Sequence, residues 1–170
     1  MVSLADVEAI RQLKARYFRF VDTKRWAEFG ALFTDDAVLD VPLVRATPLQ
    51  GRDAIVAAVS GNLAQLVTIH HGHAEEIEIL GPREARAIWP MYDLLLRTTA
   101  PPASGTATCF GPRYEGYGHY LERYEKDDDS AWHIARCELR RLHLETEQHR
   151  RDRDLNGPAE PASAHASAHP

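Results

Sequence analysis

Three histidines crowd the segment VTIHHGHAEEIEIL: His70, His71 and His73. A free imidazole titrates near about pH 6.5, so a histidine is a competent general base at neutral pH. Read as a strand, the segment puts His70 with Thr68 on one face and His71 with His73 on the other. The His71-x-His73 pair could grip a metal from one face, but no third ligand is identifiable. His119, in GYGHYLERY, shares a face with Tyr117 and Leu121 by the same period. In AWHIARCELRRLHLE, Ala135, Cys137, Leu139 and Arg141 fall on one face, and Trp132, Ile134, Arg136, Glu138, Arg140 and Leu142 on the other. Arg141 therefore lies among small and apolar groups, which suits a pocket cation better than Arg140 does.

Composition narrows what such groups could serve. The chain has 170 residues, 44% hydrophobic and 26% charged, with a net charge of −5. That length suits one domain of ordinary size with a sizeable core. An acidic balance gives no electrostatic footprint for nucleic acid. The run AIVAAVS is far short of the roughly 20 residues of a spanning helix. Cys109 and Cys137 cannot make a disulfide framework and lack metal or redox spacing. MVSLADVEAIRQLK is charged and helix-patterned from its start, unlike a signal peptide. A cytoplasmic protein that binds neither nucleic acid nor membrane is the expectation.

The elements that must position the histidines are legible from periodicity. Ser3 with Asp6 forms a capping box, and Leu4, Val7, Ile10, Leu13, Tyr17 and Phe20 then make a helical stripe. Asp22-Thr23 offers the N-cap of a short second helix with Trp26, Phe29, Leu32 and Phe33 on its inner face. Thr34-Asp35-Asp36 reads as a turn, and Ala37 to Val41 as a strand stopped by Pro42. Gly51-Arg52-Asp53 opens a third helix with Ile55, Val56, Val59, Leu63 and Leu66 inward. Beyond it the period shifts toward two through four β-rich segments, separated by Gly81-Pro82, the stretch 98–113 and Asp127-Asp128-Asp129-Ser130. Helices followed by long strands give an α+β class. The charge run EQHRRDRD and the Ala/Pro/Ser/His stretch after it predict a disordered tail over 150–170, leaving one domain over 1–149.

Three helices followed by a strongly bent antiparallel sheet is the order of the cone-shaped nuclear transport factor 2-like fold. The segments LKARYFRFVDTKRWAEFGALFTDDAVLDVP, GRDAIVAAV, VTIHHGHAEEIEI, GYGHYLERYE and WHIARCELRRL resemble a SnoaL-like member of that superfamily over residues 3–145. The superfamily includes scytalone dehydratase, bile acid 7α-dehydratase, hexachlorocyclohexane dehydrochlorinase, ketosteroid isomerase and polyketide cyclases, and also members without catalysis.

The resemblance implies a site. In the dehydratases and the dehydrochlorinase a polar residue lies five positions before an aspartate on the first helix, and a histidine opens the first long strand. Those positions here are Tyr17, Asp22 and His70, and the bile acid dehydratase type adds an arginine that falls on Arg141. His70 would be the base, Asp22 its orienting carboxylate, and Tyr17 and Arg141 would polarise a hydrophobic cyclic substrate. His119, Trp26, Trp89 and Tyr117 are the candidate substrate contacts. The implied reaction is dehydration by β-elimination, with cyclisation or isomerisation as the rival chemistry and a non-catalytic binding module as the rival class. None of these steps calls for a metal or an organic cofactor. Structural alternatives stand beside each role: a core tyrosine at 17, a helix cap at Asp22, a strand histidine at 70, and an Arg141 paired with Asp22 or Glu138. Trp26, Phe29, Phe33, Trp89 and Met91 fit a core more readily than a pocket, and Asp40 and Asp93, on or beside strands, have no assigned role, though either could line the pocket. Ile134, Leu142 and Leu144 on one sheet face would support a homodimer or larger assembly, as is common in the superfamily.

Overall fold

The computed structural model describes residues 4–42, 44–98 and 112–147. The capping Ser3, Cys109, most of the stretch 98–113 and the tail over 150–170 lie outside the described residues. Among the described residues three helices, α1 (Leu4–Asp22), α2 (Trp26–Gly30) and α3 (Arg52–Leu63), accompany seven strands. These are β1 (Phe33–Asp40), β2 (Leu49–Gln50), β3 (Leu66–Gly72), β4 (Glu76–Ile79), β5 (Glu84–Arg97), β6 (Arg113–Lys126) and β7 (Trp132–Thr146). The strand order is β2-β1-β7-β6-β5-β3, with β4 also paired to β5. Every pairing is antiparallel except β1 with β7, so the expected antiparallel sheet is mixed. The class is α+β, as expected.

The helical stripe does what its spacing predicts: Ile10, Leu13, Tyr17, Phe20 and Val21 are buried, while Leu4 at the fraying start is exposed. α1 packs against β3, β4 and β7, and α3 against β1, β2 and β3. One face of the sheet is therefore covered, and the core forms there from Phe29, Phe33, Ile55, Trp89, Tyr120, Ile134 and their neighbours. α2 is shorter than its apolar pattern suggests, and Thr34 to Asp36 belong to β1 rather than to a turn. Leu66 begins β3 instead of ending α3.

β3 and β4 share one edge of β5, β3 along Met91 to Arg97 and β4 along Ala85 to Ile88. Pro90 sits at the gap between them. Its carbonyl accepts the His73 N–H at 2.8 Å, so its own donorless nitrogen faces the same gap, where no ladder bond is lost.

Two irregularities in β7 break the period of two. Tyr124 pairs with Ile134 but Arg123 with Arg136, and Gly118 pairs with Arg141 but Tyr117 with His143. The extra residues are Ala135 and Leu142, each a β-bulge. The first bulge brings Trp132 and Ile134 onto the covered face together with Cys137, Leu139 and Arg141. The supposed outer apolar face is thereby dissolved. Ile134 is fully buried, Leu144 packs on the core, and Leu142 alone is exposed, at 75%.

Lys14 is a polar residue within the buried stripe. Its Nζ donates to Glu122 Oε1 at 2.6 Å with both side chains fully buried, and Glu122 also accepts the Tyr124 O–H. The Trp89 indole donates to the Tyr124 hydroxyl at 2.8 Å. The ammonium lies 4.0 Å from the Tyr17 ring centroid and 3.7 Å from that of Tyr120. Removing one member of such a pair strands the other charge. Lys14→Met is expected to lower unfolding free energy by about 3–5 kcal/mol, and Lys14→Met with Glu122→Met to recover much of it, measured by denaturant unfolding.

Candidate active site

α1 ends in a tight reversal. The Lys24 N–H donates to the Val21 carbonyl at 3.2 Å and the Arg25 N–H to the Phe20 carbonyl at 2.8 Å, with Lys24 at φ +59°. This is the Schellman arrangement, with Lys24 at its left-handed position. Asp22, the last residue of α1, is thereby aimed at β3 rather than at α2. The residue preceding α2 is Arg25, which makes no side-chain cap, so the expected capping role of Asp22 is not the one it has.

The Asp22 carboxylate gathers donors from β3. Its Oδ1 accepts the Thr68 hydroxyl at 2.9 Å and lies 2.6 Å from His70 Nδ1, and its Oδ2 accepts the His70 backbone N–H at 2.9 Å. An ionised carboxylate only accepts, so Nδ1 carries the proton in the neutral ring and the lone pair is left on Nε2. The His70 side chain is 7% exposed and lines a cavity of about 110 Å³. Nε2 has no hydrogen-bond partner among the described residues.

That cavity is apolar over most of its wall, with Val21, Leu39, Val59, Leu63, Leu95 and Leu139 contributing. Its polar lining includes Tyr17, His70, Asp93, Tyr120 and Arg141. Three of the four residues assigned catalytic roles, Tyr17, His70 and Arg141, thus line one cavity, and Asp22 stands behind the histidine. Burial, then the neighbouring Tyr120, pushes the Tyr17 hydroxyl well above its ordinary pKa, so it stays a protonated donor. Burial does the same to Tyr120, followed by the Asp93 charge.

Arg141 does not pair with Asp22 or Glu138. Its guanidinium makes a fork with Asp93, Nη1 to Oδ1 at 2.7 Å and Nη2 to Oδ2 at 2.5 Å, with side chains 6% and 3% exposed. Burial works against the charge, but the bonds and charge of Asp93 outweigh it and raise the Arg141 pKa. The buried Nε–H has no hydrogen-bond partner among the described residues. The pair spans β6 to join β7 to β5, and Gly116 is what permits the crossing. A Cβ there would lie 2.0 Å from Arg141 Nη1 and 2.6 Å from Asp93 Oδ1.

The four expected substrate contacts are elsewhere. Tyr117 and His119 occupy the opposite face of β6 from Tyr120, and Tyr117 is 43% exposed beside Tyr92 and His143. Trp89 is core, tied to Tyr124. Trp26 packs edge-on to Phe29 at the outer side of α2. Asp40 meets Arg136 at 3.3 Å, away from the cavity. Asp93 and Tyr120, in contrast, belong to the cavity, and their positions could have been sought beside the paired glycines of GYGHY, where a strand lets a neighbour approach closely. No cluster of three metal-ligating side chains occurs among the described residues, His71 and His73 included. No helix among them is long and apolar enough to cross a membrane.

Comparison with known proteins bears on the family and the fold. A family model described as a SnoaL-like domain matches residues 2–138. A protein assigned as a scytalone dehydratase from Novosphingobium aromaticivorans DSM 12444 superposes with a TM-score of 0.70 at 23% identity, over 84% of this chain and 87% of that one. A protein from Kribbella flavida gives 0.71 at 19% identity, over 86% and 97%. A hexachlorocyclohexane dehydrochlorinase of type 2 gives 0.70 at 17% identity, over 84% and 88%. At these identities the likeness establishes the shared fold.

Two outcomes test the geometry. Gly116→Ala should force the Arg141–Asp93 fork apart and cost about 1–3 kcal/mol in denaturant unfolding, the usual range for overpacking. The second concerns alkali. Tyr17, Tyr120, Tyr124 and Cys137 have folded-state pKa values raised by burial above the ordinary 10.0 and 9.0. Folding therefore holds protons that the unfolded chain releases. Their contribution is whole below about pH 9 and is lost as pH rises through the unfolded and then the folded values. Tyrosinate absorbance should show these three of the six tyrosines ionising only together with unfolding.

Proposed function

The chain belongs to the SnoaL-like family of the nuclear transport factor 2-like superfamily, and from that premise we propose a cofactor-independent acid–base enzyme acting on a hydrophobic cyclic substrate. The reaction is dehydration by β-elimination. The observation that carries the reading is the Asp22–His70 pair, with the imidazole's free nitrogen opening into an apolar cavity.

His70 Nε2 removes a proton from carbon next to an activating carbonyl. Asp22, already bonded to Nδ1–H, stabilises the imidazolium that forms. The C–H electrons become the new double bond as the C–O bond to the departing hydroxyl breaks. That hydroxyl takes the proton back from Nε2 and leaves as water, so the enzyme ends as it began. Tyr17, held protonated by burial, donates to the carbonyl oxygen as negative charge develops on it. Asp93 takes one N–H from each terminal nitrogen of Arg141, so the remaining N–H groups of the guanidinium are the donors it has for a substrate oxygen. The apolar wall excludes water and selects a ring by shape.

Turnover of cyclic β-hydroxy-ketones followed by product analysis tests this. His70→Ala should lose about 10²–10⁴-fold in kcat while keeping its melting temperature and its affinity for product, and Asp22→Asn should lose turnover in the same direction. Rearranged product without loss of water would replace dehydration by isomerisation or cyclisation. Ligand binding with no turnover by wild type would make the chain a binding module.

A further inference from the structure

We propose that Lys24 is a positioning residue of the site, holding the Asp22 carboxylate through Thr68; the inference rests on the reading of Asp22 and His70 as a working pair. Lys24 Nζ donates to Thr68 Oγ1 at 2.7 Å, and that hydroxyl in turn donates to Asp22 Oδ1 at 2.9 Å. The lysine's own acceptance of this place is unusual. It occupies the left-handed position of the Schellman turn, φ +59°, which glycine fills most readily because a Cβ is penalised there. The ammonium is also half-buried, and that burial lowers its pKa against the opposing pull of the Asp22 charge. Backbone strain and desolvation both argue against a lysine here on stability grounds. What the side chain provides in return is a directed cation two bonds from the catalytic carboxylate.

The consequence for the base follows from charge. An ammonium near Asp22 repels a proton on His70, and by polarising the Thr68 hydroxyl it draws carboxylate density away from Nδ1–H. Both effects disfavour the imidazolium, so Lys24 keeps His70 ready to accept a proton and able to release it again. The other groups facing His70 are accounted for. Asp93 is its cross-strand partner on β5 and is joined to Arg141 from β7. Tyr17 from α1, Tyr120 from β6 and Arg45 from the β1–β2 connection share the cavity. His71 follows it on β3, beside Tyr92.

The test is ring titration of His70 by NMR in wild type, Lys24→Met, Lys24→Gly, Lys24→Arg and Asp22→Asn, with a thermal melt of each. The expected result is a midpoint displaced upward by about half a unit in the Met and Gly variants and restored in the Arg variant, the size of one nearby charge at the protein surface. Lys24→Gly should melt at the same temperature as wild type or higher, because the left-handed strain is gone. A merely structural lysine would do the reverse, lowering the melt and leaving the midpoint in place, and that result overturns the inference. A midpoint that responds to Asp22→Asn but to no Lys24 variant also overturns it and leaves the Asp22–His70 pair standing. A midpoint that ignores Asp22→Asn as well removes the pair, and the inference falls with it.

Discussion

The carboxylate of Asp22 is the constraint around which this fold is organised. It sits on the last turn of α1, where the carbonyl end of the helix dipole makes a negative charge unwelcome. Left alone there it would be destabilising, and the chain answers with donors from outside the helix: the Thr68 hydroxyl, the His70 backbone and the His70 ring. Each of these comes from β3, so satisfying the carboxylate also fixes the angle at which α1 meets the sheet. The histidine is thereby restrained by its backbone and its ring at once. Its Nε2 is left without a hydrogen-bond partner among the described residues.

The remaining polar groups of the cavity follow a different rule. An apolar enclosure tolerates charge only when it is paired, and the Arg141–Asp93 fork is paired across an intervening strand because β6 has no side chain at Gly116. Lys14 with Glu122 is the same solution one layer deeper. Its ammonium lies over the Tyr17 and Tyr120 rings without bringing an uncompensated charge to the cavity, so the rings gain a cation–π contact while their hydroxyls stay protonated. Two buried ion pairs therefore hold the tyrosines and the arginine from opposite sides.

Periodicity alone reaches the helices and the α+β class, because the α1 stripe and the β-rich run after Leu66 are strong signals. It fails in β7, where the bulges at Ala135 and Leu142 reverse the faces on which alternation depends; no residue type there announces them. Arg141 was nonetheless readable as a cavity residue, because no irregularity separates it from Cys137 and Leu139. The choice of His70 as the candidate base was a matter of resemblance, since alternation leaves open which face of β3 meets the helices. Trp26, Trp89, Tyr117 and His119 misled for one reason: an aromatic or imidazole near a motif says nothing of the side it faces. Asp93 was legible as a residue that could line the pocket but not as the partner of Arg141, which lies two strands away.

The geometry also keeps the two carboxylates nearest His70 and Arg141 apart in their partners. His70 and Asp93 are direct cross-strand partners, yet each carboxylate has its own cation or donor set: Asp22 takes the ring of His70, and Asp93 takes the fork of Arg141. Left unpaired, Asp93 would be an uncompensated charge in an apolar enclosure, and the fork with Arg141 compensates it. Arg141 thus neutralises Asp93, and the carboxylate bonded to the His70 ring is that of Asp22.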